Sequence, residues 1–169
     1  ETPWVMKTLT KALAIGVLMV LLAAAPAIQG SSSGKHNQAS AGCTCHNNAG
    51  GITATNDFPT SYNAGQVYSI NIGHTGGSQA FVGGFNVVVN KGTIQNAGSG
   101  VQISGGTSAT HTSSGQLGWT FDWQAPSAGS GTVSVDIAVM QANGNNQNSG
   151  DAWDTDSVSI TEIVVQNTP

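Results

Sequence analysis

From Phe58 onward the chain alternates apolar and polar residues with a period of two. Tyr68, Ile70 and Ile72 share one phase, against Val67, Ser69 and Asn71 on the other. Phe85, Val87 and Val89 alternate with Asn86, Val88 and Asn90. Trp119, Phe121 and Trp123 alternate with Thr120, Asp122 and Gln124. Val133, Val135, Ile137 and Val139 alternate with Thr132, Ser134, Asp136 and Ala138. Alternation of this kind puts one face in a core and one in water, as antiparallel strands do. Val158 and Ile160 open a last strand, and the shift of phase to Ile163 and Val165 predicts a β-bulge near Thr161-Glu162. Turn-rich segments at 73–84, 92–100, 105–106, 127–131 and 143–150 separate the runs. Several spaced strands with such turns predict an all-β domain, a two-sheet antiparallel sandwich of the immunoglobulin type, over 58–166.

The first 57 residues lack that pattern. Lys7 and Lys11, an apolar run at 12–25 and the small-residue site Ala25-Pro26-Ala27 predict a cleavable signal peptide at 6–27. The apolar run falls short of the roughly 20 residues that span a bilayer. No stable membrane insertion is therefore expected after cleavage. Residues 1–5 precede the first methionine, Met6, and read as an extension of the gene start. Residues 28–57 read as a flexible Ser/Gly/Asn leader, with Cys43-Thr44-Cys45-His46 on a loop within it. An exported protein on the cell surface or free outside the cell is expected.

Composition narrows the partners. All four cations of the chain are Lys, and only Lys35 and Lys91 follow the signal segment, against seven carboxylates from Asp57 to Glu162. A surface with two cations and no Arg has no means of gripping a phosphate backbone, which excludes nucleic acid as a partner. Leu, Glu and Lys are scarce past residue 27, so strands and turns outweigh helix.

The two cysteines, Cys43 and Cys45, are followed at once by His46. Three chemistries compete for them. Covalent haem c uses two thiols and an adjacent axial His, ordinarily in Cys-x-x-Cys-His; here one spacer residue is missing. His111 or His74 then stands as the sixth ligand, with His36 a weaker choice. Copper or zinc would take the same two sulfurs and an imidazole. A Cys43–Cys45 disulfide would close a very small, strained ring, formed on export and readily reduced. Separately, Asp151, Asp154 and Asp156 offer oxygen ligands for calcium, or a solvated loop before an edge strand. The Trp119, Phe121 and Trp123 stripe would stack on sugars if exposed; buried sandwich core is the expectation. Nothing in the chain requires an enzyme: there is no nucleophile elbow and no triad arrangement.

In order along the chain, Cys43-Thr44-Cys45-His46, Pro59-Thr60-Ser61-Tyr62, Gly65-Gln66-Val67-Tyr68, Gly84-Phe85-Asn86, Thr110-His111-Thr112, residues 119–126 and Gly150-Asp151 resemble the Reeler-like, choice-of-anchor V extracellular domains of prokaryotes. The resemblance implies a secreted or cell-surface Reeler-like sandwich whose Cys/His motif looks like a c-type haem site. By that resemblance Cys43 and Cys45 attach haem and His46 ligates the iron, and His111 and His74 fall where the family pattern also has His. A two-histidine iron has no open position, so the implied role is extracellular electron transfer with a redox partner or cell-surface component. The rival role is an adhesion or binding module stiffened by the disulfide.

Overall fold

The computed structural model describes residues 31–77 and 82–164, and the expected signal peptide and extension lie outside them. Ten strands form: β1 (Ile52–Asn56), β2 (Ser61–Tyr62), β3 (Val67–Gly76), β4 (Val82–Val89), β5 (Thr93–Gln95), β6 (Val101–Ser104), β7 (Ser108–His111), β8 (Gly118–Gln124), β9 (Val133–Ala142) and β10 (Ala152–Glu162). They make two facing sheets, ordered β1-β3-β8-β5 and β2-β10-β9-β4-β7-β6. All pairings between these strands are antiparallel except the two-residue contact of β10 with β2. The architecture is the all-β, two-sheet sandwich that the alternation predicts.

Each apolar phase lies between the sheets. Ile70, Ile72, Phe121, Trp123, Val87, Val135, Ile137 and Val139 are all buried. Trp123 meets Phe58 and Tyr62 edge-on, each with ring centroids 5.9 Å apart, the geometry aromatic pairs prefer. Its indole N–H donates to the Lys91 carbonyl at 3.2 Å. The aromatic stripe is therefore core, not a sugar-stacking surface.

Four expectations are corrected. Of the leader expected at 28–57, the described residues 31–57 are neither loose nor separate from the domain: Ile52–Asn56 is the edge strand of the four-stranded sheet. The described residues at its start lie on the outer face of the six-stranded sheet. There the Gln38 N–H donates to Asn86 Oδ1 at 2.9 Å and the Asn37 N–H to Ser108 Oγ at 3.1 Å. Ala39 is buried against that face in a single 3₁₀ turn. Asn86, Ser108 and Thr110, on the outward phase, are buried beneath this strap; its N–H groups satisfy Asn86 and Ser108, and the Thr110 hydroxyl donates to the Phe85 carbonyl.

The second correction concerns the acidic residues. β10 begins at Ala152, so Asp154 and Asp156 are strand residues. Asp154 accepts the Ala54 N–H at 2.9 Å and Asp156 accepts the Asn56 side-chain amide at 2.9 Å, which sews β10 to β1 across the open side of the sandwich. Third, β5, β6 and β7 lie in or beside segments read as turns, where each strand is only three or four residues long. Fourth, β10 leaves β9 after Ile160 to run parallel to β2, and Ile163 beyond it is 45% exposed rather than returned to the core.

Candidate cofactor site

The Cys/His segment folds as a tight turn, closed by the His46 N–H on the Cys43 carbonyl at 2.8 Å. The turn cannot drift from the sheet. Beyond it, the Asn47 N–H donates to the Asn148 carbonyl and the Ala49 N–H to the Asp151 carbonyl, both at 2.7 Å. Asn48 clamps Trp153 at both ends of its peptide, accepting the Trp153 N–H at 3.1 Å and donating to the Trp153 carbonyl at 2.9 Å. The Trp153 indole donates to the His46 carbonyl at 3.2 Å. Just before the turn, Gly42 has φ +70° and lies so close to Trp153 that a Cβ would sit 2.6 Å from its ring. Only glycine meets both demands.

His46 is held by a carboxylate. Its Nδ1 lies 2.6 Å from Asp151 Oδ2, and the two side chains are 15% and 1% exposed. The other Asp151 oxygen accepts the Asn143 N–H at 2.9 Å. An ionised carboxylate only accepts, so Nδ1 carries the hydrogen and, in the neutral ring, Nε2 keeps its lone pair for a partner. Asp151 stands where the chain predicts a calcium ligand, but it turns to His46 while Asp154 and Asp156 turn to β1. The three carboxylates expected at a calcium site do not converge.

The turn overhangs a cavity of about 110 Å³ whose lining includes Cys43, Cys45, His46, Phe85, His111 and Met140. A second, wider cavity of about 530 Å³ shares His46, His111 and Met140 with the first. Both cysteines are free thiols. Burial, with the neighbouring Cys45 adding to it, pushes the Cys43 thiol up to about 12, so it stays protonated at neutral pH.

His111 enters the same cavity by another route. At the end of β7 its Nδ1 faces both polar groups of Phe85, 3.1 Å from the N–H and 3.3 Å from the carbonyl. The neighbouring Thr110 hydroxyl donates to the Phe85 carbonyl at 2.6 Å. The ring lies over Gly84, where a Cβ would stand 2.6 Å from Cε1. Burial holds the His111 pKa below its ordinary value, with hydrogen bonds to the Phe85 and Ser31 backbones acting the other way. A ring that accepts an N–H at Nδ1 while neutral carries its hydrogen on Nε2. In this state His111 has no lone pair to give a metal.

The remaining histidines lie elsewhere. His74 is on β3 in the opposite sheet, and neither of its buried ring nitrogens has a partner. His74 therefore does not join Cys43, Cys45 and His46, because a whole sheet stands between them. His36 pairs with Ser108 Oγ at 3.2 Å. Among the described residues no group of three His, Cys, Asp or Glu side chains is arranged to hold a metal ion.

The sandwich is similar to solved Reeler structures. The human F-spondin reeler domain (fragment 1) matches at 16% identity and a TM-score of 0.47, covering 69% of this chain and 95% of that one. Fragment 2 of the same human domain gives 17% identity and a TM-score of 0.46, over 68% of this chain and 96% of that one. The Reelin-N domain of F-spondin gives 16% and 0.45, over 69% and 83%. No protein-family model and no curated protein matches the chain.

Two site residues escape the period-two reading. Asp151 is seen there only as an oxygen donor for calcium, although its chemistry here is to orient an imidazole. Met140 is not singled out at all. A signal existed: Ala138 and Met140 are apolar on the outward phase of β9, where Thr132, Ser134 and Asp136 are polar or charged. An outward phase that turns apolar marks a sheet face that something covers, here the strap.

Two thiols and an imidazole share one pinned turn, and a buried carboxylate fixes that imidazole as outer-shell groups fix metal-ligating histidines.

Proposed function

We propose that the chain is an exported, non-enzymatic redox carrier that holds haem c at the Cys43–His46 turn and exchanges electrons outside the cell. The observation that carries this reading is the 2.6 Å contact of His46 Nδ1 with buried Asp151, which leaves Nε2 free beside two thiols. When bound, haem supplies a one-electron ferric–ferrous couple. The Cys43 and Cys45 thiols would attach it by adding S–H across its vinyl groups, one S–C and one C–H bond formed for each S–H and C=C π bond lost, with no oxidant consumed. His46 would hold the iron through Nε2, with Asp151 fixing the plane of its ring. The reading of residues 6–27 as an export signal supports a secreted or cell-surface location, with a redox partner or surface component as the contact.

Copper or zinc would accept the same sulfurs and imidazole. Haem is preferred because the donors line a cavity without being arranged as a cage for a bare ion.

The test is to express the full chain with a haem-maturation system and export it. A Soret band that survives acid–acetone extraction supports the proposal. A colourless protein with stoichiometric copper or zinc overturns it in favour of a metal carrier. A colourless, metal-free protein two hydrogen masses below the reduced chain overturns it in favour of a disulfide-bearing binding module.

A further inference from the structure

The wider cavity, of about 530 Å³, falls in the size range of small-molecule sites. Different parts of the chain build it. Val82 on β4, with Met140 and Ala142 on β9, gives it apolar lining. The loop between β7 and β8 adds Ser114, and the loop between β9 and β10 adds Asn146, Gln147 and Asn148.

The β9–β10 loop divides its amides between two tasks. Asn143 and Asn145 shape it. The Asn143 side chain accepts the Asn145 N–H and donates to the Ser149 carbonyl, both at 3.0 Å, and the Asn145 side chain accepts the Gln147 N–H at 2.8 Å. The loop is tied down twice more, by the Asn143 N–H on Asp151 Oδ1 at 2.9 Å and by the Asn47 N–H on the Asn148 carbonyl at 2.7 Å. The carboxamides of Asn146, Gln147 and Asn148 take no part in this scaffold. Asn146 holds the left-handed conformation, φ +59°, which asparagine tolerates better than most residues.

The lining selects a chemistry. Carboxamides and hydroxyls both donate and accept. No Lys among the described residues lines the cavity, and the chain has no Arg, so an anion finds no fixed cation there. The one carboxylate of the lining, Asp151, spends its oxygens on His46 and the Asn143 N–H, so a cation finds no free acid. A neutral molecule with several hydroxyls and an apolar C–H face suits both kinds of wall. Its hydroxyls meet the amides and Ser114, and its C–H face meets Val82, Met140 and Ala142.

We propose that this cavity binds a neutral saccharide, held by Asn146, Gln147, Asn148 and Ser114. The proposal does not depend on what the Cys43–His46 turn carries, because none of the four is a thiol or an imidazole. On an exported chain such a site would hold the protein against a surface glycan.

The test uses the full chain as exported, labelled with nitrogen-15. It is titrated with the neutral disaccharides maltose, cellobiose and diacetylchitobiose, and with glucuronate as the anionic control. At least one neutral disaccharide is expected to shift the side-chain amide signals of Asn146, Gln147 and Asn148 saturably, and glucuronate to leave them in place. Asn146→Gly combined with Gln147→Ala is expected to weaken binding by about tenfold or more. Glycine keeps the left-handed backbone at 146, so the loop survives. Ser114→Ala lies outside that loop and is expected to weaken binding by roughly threefold. The proposal is overturned if none of the disaccharides moves those signals at high millimolar concentration, or if glucuronate binds as tightly as they do. It is equally overturned if both variants bind as tightly as the unaltered chain.

Discussion

His46 and His111 line the same two cavities, yet they face them with opposite nitrogens. His46 sits on a turn outside the sheet, and a carboxylate accepts the hydrogen bond from its Nδ1–H. His111 sits at the end of a strand, with its Nδ1 3.1 Å from the Phe85 N–H and 3.3 Å from the Phe85 carbonyl. In the neutral ring the first arrangement leaves a lone pair at Nε2, whereas in the second the shorter approach, from the N–H, places the hydrogen there. The partner of one ring nitrogen decides what the other can do. By this comparison His46 belongs to chemistry and His111 to the closure of the β4–β7 ladder.

The comparison breaks most sharply at Asp151. Asp151→Ala removes the acceptor for both His46 and the Asn143 N–H from a buried position, and is expected to cost about 3 kcal/mol. Urea unfolding measures this, and His46 is expected to lose its fixed tautomer while His111 keeps its own. A loss below about 1 kcal/mol would mean that the pair does not hold the turn.

Gly84→Ala attacks the other histidine. The new Cβ would stand 2.6 Å from the His111 ring, which must shift or lose its bond to Phe85. Overpacking of this kind costs about 1–3 kcal/mol. Urea unfolding gives the loss, and nitrogen-15 spectra are expected to change at His111 and not at His46.

Acid separates the two by a smaller amount. The folded pKa of His111 lies below its ordinary 6.5, so the unfolded chain takes up the proton first. Its contribution is fully present above about 6.5 and is lost as pH falls from there through the lower folded value. A series of unfolding midpoints from neutral pH down to about 5 is expected to slope downward, and His111→Gln to flatten the slope. Glu162 acts at lower pH. The Gly131 and Gly129 N–H groups hold its carboxyl below 4.5, so its stabilisation is present above that value and lost beneath it.

The smallest effect touches no stability. With its thiol pushed up to about 12, Cys43 is expected to resist iodoacetamide at mildly alkaline pH until the chain is unfolded. Mass spectrometry of timed aliquots checks this. Rapid alkylation of Cys43 in the folded chain would show that its burial is not maintained.

Much of the fold was legible because alternation reports burial directly. The long strands β3, β4, β8 and β9 carry unbroken apolar phases, and their residues lie inside. Short strands hold too few positions to show a period, so β5, β6 and β7 were hidden among glycines. The strap was hidden for a different reason. Its hold on the sheet comes from side-chain bonds to Asn86 and Ser108, more than 40 residues away in the chain, which no local pattern reports. At the site, adjacency made Cys43, Cys45 and His46 legible as one group. The Asp151 partnership spans 105 residues, and the tautomer of His111 depends on a backbone N–H that only the folded ladder aims at it.

The assignment of the two histidines is most directly tested in the cofactor-free, reduced protein near pH 8 by long-range proton–nitrogen correlation of the imidazole rings. The account predicts that His46 carries its hydrogen on Nδ1 and His111 on Nε2. The reverse pattern, or the same tautomer at both, would contradict it and return His111 to the set of available ligands.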